Sequence, residues 1–134
     1  MPEIQNKYPV LVVDDEQPLL EVYGAALSPY FEVTLVRSAR EAELVAGQRS
    51  FKAVIADHLM PGGTGMDLLI AMRKEYPHMQ RILVTGYMKP ELLLRCVREA
   101  ALFRYLLKPV TVADLVKVVD DAMVAHDASL AVAR

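Results

Sequence analysis

The chain has 134 residues, a length typical of one domain that buries about two-thirds of its unfolded surface. Hydrophobic residues make up 54% and charged residues 24%, which excludes a disordered chain and a coiled coil. With 15 Lys and Arg against 17 Asp and Glu the net charge is −2, so no basic excess favours nucleic acid or an anionic membrane as a partner.

The cysteine content and the distribution of apolar residues indicate the cellular compartment of the protein. The single cysteine, Cys96, excludes an internal disulfide bond. Residues 1–7 contain no apolar signal core, and no apolar run approaches the ~20 residues of a membrane span. We therefore expect a cytoplasmic protein without a membrane partner.

Five short apolar runs alternate with five helical patterns along the chain. The runs predict strands at residues 9–13, 31–36, 53–56, 81–85 and 103–107. Helices are predicted at residues 17–28, at 39–47 behind a capping box of Ser38 and Glu41, and from 66 to a stop at Pro77. Two more follow at 90–100 and from residue 111 or 112 onward, the last one fraying within residues 125–134. Residues 61–65 carry turn chemistry.

These elements define the fold class as α/β. The runs at residues 9–13 and 53–56 are continuously apolar, which indicates strands buried on both faces by helices, as in a parallel sheet. Five βα units are too few for a closed barrel, which needs eight. The sequence therefore predicts an open, doubly wound, parallel five-stranded sheet in one domain of residues 1–134. Its core spans about residues 8–124, and residues 125–134 form the end of the last helix or the start of a linker.

Polar side chains follow four of the predicted strands at the point where each strand ends. They are three carboxylates, one hydroxyl and one ammonium, carried by Asp14, Asp15, Asp57, Thr85 and Lys108. The carboxyl ends of parallel strands share one edge of the sheet, where ligands bind in such folds. Two carboxylates at ~4 Å repel by about 4 kcal/mol at an effective dielectric near 20, so a cation or a proton must join them. Oxygen ligands favour Mg²⁺ or Mn²⁺.

Each of these features alone has a simpler structural explanation. An acidic pair after a strand is more often a helix cap or a turn, and a threonine at a strand end reflects β propensity. Their occurrence together, at the same end of the right strands, favours a site. A metal ion, a lysine, a hydroxyl and a carboxylate nucleophile are the groups that phosphoryl transfer requires.

Four stretches, in order and at matching spacing, carry a family resemblance. They are Val-Leu-Val-Val-Asp-Asp-Glu at 10–16, Asp-His-Leu-Met-Pro at 57–61 with Gly65, Val-Thr-Gly at 84–86, and Tyr-Leu-Leu-Lys-Pro at 105–109. Over roughly residues 8–124 the sequence resembles the chemotaxis-regulator-like receiver domain of two-component response regulators. The resemblance implies a flavodoxin-like sheet with strand order 2-1-3-4-5.

The resemblance also implies a role for each matching residue at the site. Asp57 would be the phosphoacceptor. Asp14, Asp15 and Asp57 would hold Mg²⁺ together with the backbone carbonyl of Leu59, and Lys108 would contact Asp57 and then the phosphoryl oxygens. The phosphoryl donor would be a sensor histidine kinase or a histidine phosphotransfer protein.

The switch and the output surface are implied in the same way. Thr85 would hydrogen-bond the phosphoryl group while Tyr105 turns inward, and the Lys108–Pro109 peptide bond would be cis. The fourth helix, fifth strand and fifth helix would form the output surface, which would contact an output domain in the same chain or a second copy. Leu59 and Tyr87 stand where the family tunes dephosphorylation. Both are bulky and offer a water little to bind, which predicts a phosphoaspartate that lasts hours.

Two alternative functions remain open on the sequence. A small Mg²⁺-dependent phosphatase or phosphotransferase would favour Asp-x-Asp after strand one and a cap over the substrate, whereas this chain has adjacent Asp14 and Asp15. A degenerate receiver acting as a constitutive interaction module would not need Asp57, Thr85 and Lys108 together. We therefore expect a signalling domain that catalyses only its own phosphoryl transfer and dephosphorylation. Its three histidines are expected to face solvent or lie in loops: His58, His78 and His126.

Overall fold

A computed structural model describes residues 7–60 and 62–132 of the chain. Three parts of the sequence interpretation lie outside the described residues. They are residues 1–6 of the N-terminal segment, Pro61 of the motif that follows Asp57, and the last two residues of the predicted fraying region.

Five parallel strands form one sheet, as the sequence predicts. They are β1 (Pro9–Val13), β2 (Glu32–Val36), β3 (Ala53–Asp57), β4 (Gln80–Thr85) and β5 (Arg104–Leu107). Their order in the sheet is β2-β1-β3-β4-β5, and every neighbouring pair is parallel. The predicted fold class and strand order are therefore confirmed, and the carboxyl ends of all five strands lie at one edge.

Five helices cover the two faces of this sheet. They are α1 (Gln17–Leu27), α2 (Ala39–Gln48), α3 (Gly65–Glu75), α4 (Pro90–Glu99) and α5 (Val112–Val132). Successive strand residues point to opposite faces, so Val10 and Val12 pack with α1 and α5, whereas Leu11 and Val13 pack with α2, α3 and α4. The continuous apolar runs thus fill two cores, one on each face. Among the described residues, no helix is both long and apolar enough to cross a membrane.

A short hairpin between β3 and α3 departs from the expected turn. Leu59–Met60 pairs antiparallel with Gly63–Thr64, and Gly62 lies between these strands with a positive φ of 80°. The glycines in the sequence indicate a reversal of the chain. The two paired strands have only two residues each, which is too short for a recognisable strand pattern, so the sequence did not predict that they pair. The hairpin delivers Thr64, whose hydroxyl accepts the Asp67 N–H and begins α3.

The cap of α2 is close to the predicted capping box but differs in one bond. The Ser38 hydroxyl accepts the Glu41 N–H at 3.1 Å, as expected. The Glu41 carboxylate, however, accepts from the backbone N–H of Arg37 at 3.3 Å. The carboxylate thus caps the chain one residue earlier than the motif predicts.

Helix α5 continues through Val132, so it does not fray over residues 125–132, and the rest of the region predicted to contain the fraying lies outside the described residues. Alanine is the strongest helix former, and three tertiary contacts hold this last stretch. His126 is 7% exposed, the Tyr8 hydroxyl donates to Asp127 at 2.7 Å, and His78 Nδ1 lies 2.7 Å from Ser129 Oγ. The expectation of a solvent-facing His126 is therefore wrong.

Candidate functional site

Three carboxylates meet at the carboxyl edge of the sheet. Asp14 and Asp15 directly follow β1, and Asp57 is the last residue of the neighbouring β3. Because Val13 pairs with Ala56 in register, the residues after them emerge side by side. One carboxylate oxygen from each residue lies within 4.8 Å of the others. Asp14 and Asp57 are buried and Asp15 is half-buried, so the cluster is largely withdrawn from water.

Asp14 is the least satisfied member of this cluster. Its Oδ1 accepts the Glu16 N–H at 2.9 Å, but its buried Oδ2 has no hydrogen-bond partner among the described residues. Burial raises the pKa of Asp14 above its usual value, and the nearby charge of Asp57 adds to the effect although the Glu16 N–H opposes it. A buried carboxylate oxygen without a donor favours a cation at this position.

Lys108 supplies the ammonium of the site. Its Nζ lies 2.9 Å from Asp57 Oδ1 and 3.9 Å from Glu16 Oε2. Burial by itself lowers the pKa of Lys108, but the hydrogen bond to Asp57 and the charges of Asp57 and Asp14 outweigh it, so the pKa is raised. The side chain therefore stays charged. The backbone N–H of Lys108 donates to the Thr85 carbonyl at 2.9 Å, and the Lys108–Pro109 peptide bond is cis.

Thr85 ends β4, the strand next to β3, whereas Tyr105 lies one strand further out, and neither belongs to the carboxylate cluster. Thr85 ends β4 and is buried, and its hydroxyl donates to the Tyr87 carbonyl at 3.2 Å. Tyr105 lies on the edge strand β5, pairs in register with Leu83, and is 43% exposed. In this conformation the hydroxyl thus points along the loop after β4, and the aromatic ring faces outward.

Leu59 and Tyr87 flank the site from two loops. Leu59 begins the hairpin after β3 and is 71% exposed, and Tyr87 lies in the loop after β4 and is 75% exposed. Both side chains are therefore in solvent in this conformation, whereas Asp57 itself is buried.

Gly65 has a role at the site that its place in the motif does not explain. Its N–H donates to the His58 carbonyl at 2.9 Å. A Cβ at this position would lie 2.3 Å from the Asp57 carbonyl oxygen, which no side chain can satisfy without moving the backbone. Glycine at the start of α3 therefore permits the helix to pack directly against the residue that carries the central carboxylate. The close approach depends on tertiary packing, so sequence reasoning alone could not assign it.

His58 and Glu16 are two further neighbours that the sequence interpretation missed. His58 lies in the bend after β3, in agreement with the expected loop position, but it is 7% exposed and does not face solvent. Its Nδ1 is buried without a partner among the described residues, and burial lowers its pKa. Glu16 is the second carboxylate near Lys108. The signal for Glu16 was its position directly after the acidic pair.

Comparison with known proteins identifies the family. A family model described as the response regulator receiver domain matches residues 10–120. The chain belongs to the response regulator receiver domain family. The predicted resemblance is therefore confirmed, and the domain is of a type found in signalling proteins rather than in an enzyme family. The family binds Mg²⁺ at an acidic pocket, and Asp14, Asp15 and Asp57 form such a cluster here.

Individual relatives agree with this assignment. The chain is 36% identical over 100 residues to the hydrogenase transcriptional regulatory protein HoxA of Cupriavidus necator, which covers 75% of this chain and 21% of HoxA. It is 30% identical over 115 residues to the two-component response regulator ORR12 of Oryza sativa, covering 83% of this chain and 94% of ORR12. A CheY-like receiver domain protein from Methanospirillum hungatei superposes with a TM-score of 0.87 at 26% identity, covering 92% of this chain and 98% of that chain. The chain thus spans about a fifth of the length of HoxA.

Proposed function

We propose that Asp57 accepts a phosphoryl group from a phosphohistidine of a sensor histidine kinase or a histidine phosphotransfer protein. The observation that carries the proposal is the contact between Asp57 Oδ1 and Lys108 Nζ at 2.9 Å, inside a cluster of three carboxylates. A carboxylate with a charged ammonium at hydrogen-bond distance can act as a nucleophile while its neighbour neutralises the incoming phosphoryl oxygens.

The residues present fit a magnesium ion. The ligands would be carboxylate oxygens of Asp14, Asp15 and Asp57 with the backbone carbonyl of Leu59, an all-oxygen set that suits Mg²⁺ or Mn²⁺. The partnerless Asp14 Oδ2 is the kind of buried acceptor that a cation satisfies. Bound Mg²⁺ would offset the repulsion among the carboxylates and the negative charge of the phosphoryl group.

Asp57 is positioned for the transfer by its own surroundings. A carboxylate oxygen of Asp57 attacks phosphorus, and the O–P bond forms as the N–P bond to the donor histidine breaks. The donor ring, protonated on its other nitrogen, leaves as neutral imidazole. The close approach of Gly65 holds the Asp57 backbone, and burial of the side chain limits competing water. Lys108 remains protonated and contacts the transferred oxygens, since its pKa is raised.

Phosphorylation would act on the rest of the molecule through Thr85. A phosphoryl group adds about −1.5 to −2 charge beside it. To donate to a phosphoryl oxygen, the Thr85 hydroxyl must leave the Tyr87 carbonyl, and the loop of residues 86–89 then moves with it. A Cβ at Gly86 would meet no atom within 4 Å, so no packing contact on that side of the glycine opposes the movement. Tyr105, now 43% exposed, turns into the space that Thr85 leaves.

The output surface follows from this movement. The loop after Thr85 leads into α4, and Tyr105 lies on β5, so the surface formed by α4, β5 and α5 receives both changes. Its occupant would be an output domain in the same protein or a second copy of the receiver. HoxA is named as a transcriptional regulatory protein and is about five times longer than the matched region, which supports an output domain as one arrangement.

Leu59 and Tyr87 would set the lifetime of the phosphorylated state. Hydrolysis requires a water molecule oriented towards phosphorus. The Leu59 side chain has no polar atom. The only polar group of the Tyr87 side chain is its hydroxyl, and the residue is 75% exposed. We therefore propose that the phosphoaspartate lasts hours.

Phosphorylation by a small-molecule donor tests the proposal without knowledge of the kinase. The purified domain is incubated with acetyl phosphate, with and without Mg²⁺, and its intact mass is measured. We expect the mass of one phosphoryl group to be added only with Mg²⁺, and no addition in Asp57→Asn. Asp67→Asn, an exposed carboxylate at the start of α3, is the matched control and should behave as wild type. Mg²⁺-independent labelling, or labelling of Asp57→Asn, would overturn the proposal.

A further inference from the structure

Two arginines from other elements donate hydrogen bonds to the backbone at the carboxyl end of α4. Arg73, in the last turn of α3, donates from Nη1 to two carbonyls at 3.0 and 3.1 Å. Arg81, near the start of β4, donates from Nε and Nη2 to two more at 2.6 and 3.3 Å. In chain order, the four acceptors are the carbonyls of Arg98, Glu99, Ala100 and Ala101. Positive charge is favourable here, because the helix dipole is negative at its carboxyl end.

The backbone closes the same end of the helix. The Leu102 N–H donates to the Val97 carbonyl at 3.2 Å, and the Ala101 N–H donates to the Arg98 carbonyl at 3.3 Å. This is the Schellman arrangement, in which the residue after the cap is left-handed. Ala101 has that conformation, with a φ of 45°, although it favours glycine. The contact of Arg81 with the Ala101 carbonyl helps to hold this unfavourable conformation.

The amino end of α4 lacks comparable bonds. Its N-cap residue, Lys89, makes no side-chain cap hydrogen bond, and Pro90 has no N–H to donate. In the part of the chain that the structure describes, no side-chain hydrogen bond or ion pair involves residues 88–94. Apolar packing holds this end instead, since Leu92 and Leu93 lie half-buried against the core. Apolar contacts are not directional, so they permit a sliding movement that hydrogen bonds to carbonyls resist.

We propose that Arg73 and Arg81 are positioning residues that fix the carboxyl end of α4, so that the helix rotates about this end. The amino end moves furthest because it follows the loop of residues 86–89. The fixed end belongs to the resting fold, and only the trigger of the rotation rests on the proposed phosphorylation of Asp57. A partner that distinguishes the two states therefore contacts the amino half of α4, where Leu94 is 51% exposed.

Distances between pairs of spin labels, measured by pulsed electron paramagnetic resonance, test the rotation in the full chain. The labels are attached to cysteines introduced at exposed positions. These are Glu91, Leu94 and Arg98 on α4, each paired with Glu43 on α2 or with Glu21 on α1. Two reference helices are needed because a displacement perpendicular to one distance leaves that distance unchanged. Cys96 is fully buried, and burial raises the pKa of its thiol to about 11, so it does not compete for the label.

The three labelled positions on α4 give the direction of the gradient. At about 1.5 Å per residue, positions 91, 94 and 98 lie ~14, ~9 and ~3 Å from residue 100. In the unphosphorylated protein we expect the broadest distance distribution at position 91 and the narrowest at position 98. After acetyl phosphate and Mg²⁺, the mean distance should change in the same order, by about a fifth as much at position 98 as at 91.

The outcomes separate this proposal from the proposed function. Equal changes at the three positions, or the largest change at position 98, would overturn the rotation. A confirmed phosphoryl mass with no change at any position would also overturn it, and phosphoryl transfer to Asp57 would stand. If no phosphoryl group is acquired, the proposed function fails, and the widths in the unphosphorylated protein still decide whether the carboxyl end is fixed.

Replacing the arginines tests their part in fixing this end. Arg73 is exposed, so Arg73→Gln should fold, and the amides of Ala101 and Leu102 should exchange with deuterium about tenfold faster. The differences among the three labelled positions should shrink at the same time, an effect that a contact serving stability alone would not produce. Arg81→Lys keeps the charge without the fork of donors and should act in the same direction. Lys74→Gln, at the exposed lysine next to Arg73, should behave as wild type. Unchanged exchange and unchanged distances in both arginine variants would overturn the proposal.

Discussion

The Thr85 hydroxyl donates to the Tyr87 carbonyl at 3.2 Å, which ties the last residue of β4 to the loop that leads into α4. This hydrogen bond and a bond to a phosphoryl oxygen compete for the same hydroxyl proton. The loop position is therefore expected to depend on whether Asp57 carries a phosphoryl group.

Replacing Thr85 should separate phosphorylation from the surface change. In Thr85→Ala, Asp57 should still be phosphorylated because the carboxylate cluster and Lys108 are intact. The amides of α4 should respond little, since no hydroxyl links the phosphoryl group to the loop. NMR shifts before and after acetyl phosphate treatment measure both effects. Thr85→Ser keeps the hydroxyl and should respond as wild type; a full α4 response in Thr85→Ala would contradict the coupling.

Asp14 should reduce the stability of the metal-free domain at neutral pH. Its pKa is raised by burial, so the folded state binds the proton more tightly than the unfolded state does. The free energy of unfolding then falls as pH rises from the ordinary value of 3.8 through the raised pKa. Asp14→Asn removes this loss, and we expect the metal-free variant to be more stable than wild type at pH 7, by on the order of 1 kcal/mol.

Magnesium should reverse that order. At ten times its Kd, a ligand that binds only the folded state adds about 1.4 kcal/mol to the free energy of unfolding. Wild type should show this gain in urea denaturation, and Asp14→Asn should show little of it. Asp15→Asn is the comparison variant. Because the Asp15 carboxylate is only half-buried, we expect this variant to lose the stabilisation by Mg²⁺ without becoming more stable than wild type in the absence of metal. An Asp14→Asn variant less stable than wild type without metal would contradict the electrostatic account.

A polar side chain at position 59 should shorten the phosphorylated lifetime. Leu59→Asn leaves packing unchanged because the residue is 71% exposed, and its amide can orient water. We expect the phosphorylated mass to decay over hours in wild type and about tenfold faster in the variant. Leu94→Asn, an equally drastic change at a 51% exposed position on α4, should decay as wild type. Decay of wild type within seconds would refute the proposed lifetime.

Arg81 should be a large contributor to stability. It is 6% exposed, and its guanidinium donates to the backbone carbonyls of Met79, Ala100 and Ala101. Burial lowers its pKa, yet the three carbonyls satisfy the charge. Arg81→Ala would leave these carbonyls without donors and open a cavity, and should cost about 3 kcal/mol in urea denaturation. Arg40→Ala on the exposed face of α2 should change stability by no more than about 0.5 kcal/mol.

The sheet was predictable because its three central strands, β1, β3 and β4, are buried on both faces. Runs such as Val10 to Val13 leave no amphipathic alternative, and each ends at the polar residue that marks the carboxyl edge. The cluster of Asp14, Asp15, Asp57 and Lys108 follows from that placement alone. Strand order then decides which of these residues are neighbours, and the family resemblance supplied it.

Features set by tertiary contacts were not predictable. Arg81 is the first residue of the strand predicted at residues 81–85, a position typical of an exposed charge, yet backbone carbonyls of a distant turn enclose it. His58 and His126 carry no sequence signal of burial, since neighbouring elements alone bury them. The end of α5 has few bulky side chains, and the contacts of Asp127 and Ser129 that hold it involve residues far away along the chain.

The location of the acquired phosphoryl group tests the central claim most directly. The domain is phosphorylated with acetyl phosphate and Mg²⁺, the acyl phosphate is reduced with borohydride, and peptide mass spectrometry locates the residue converted to homoserine. We expect a single converted residue, at position 57. Conversion at position 14 or 15, or a phosphoryl group carried by the adjacent His58 instead, would contradict it.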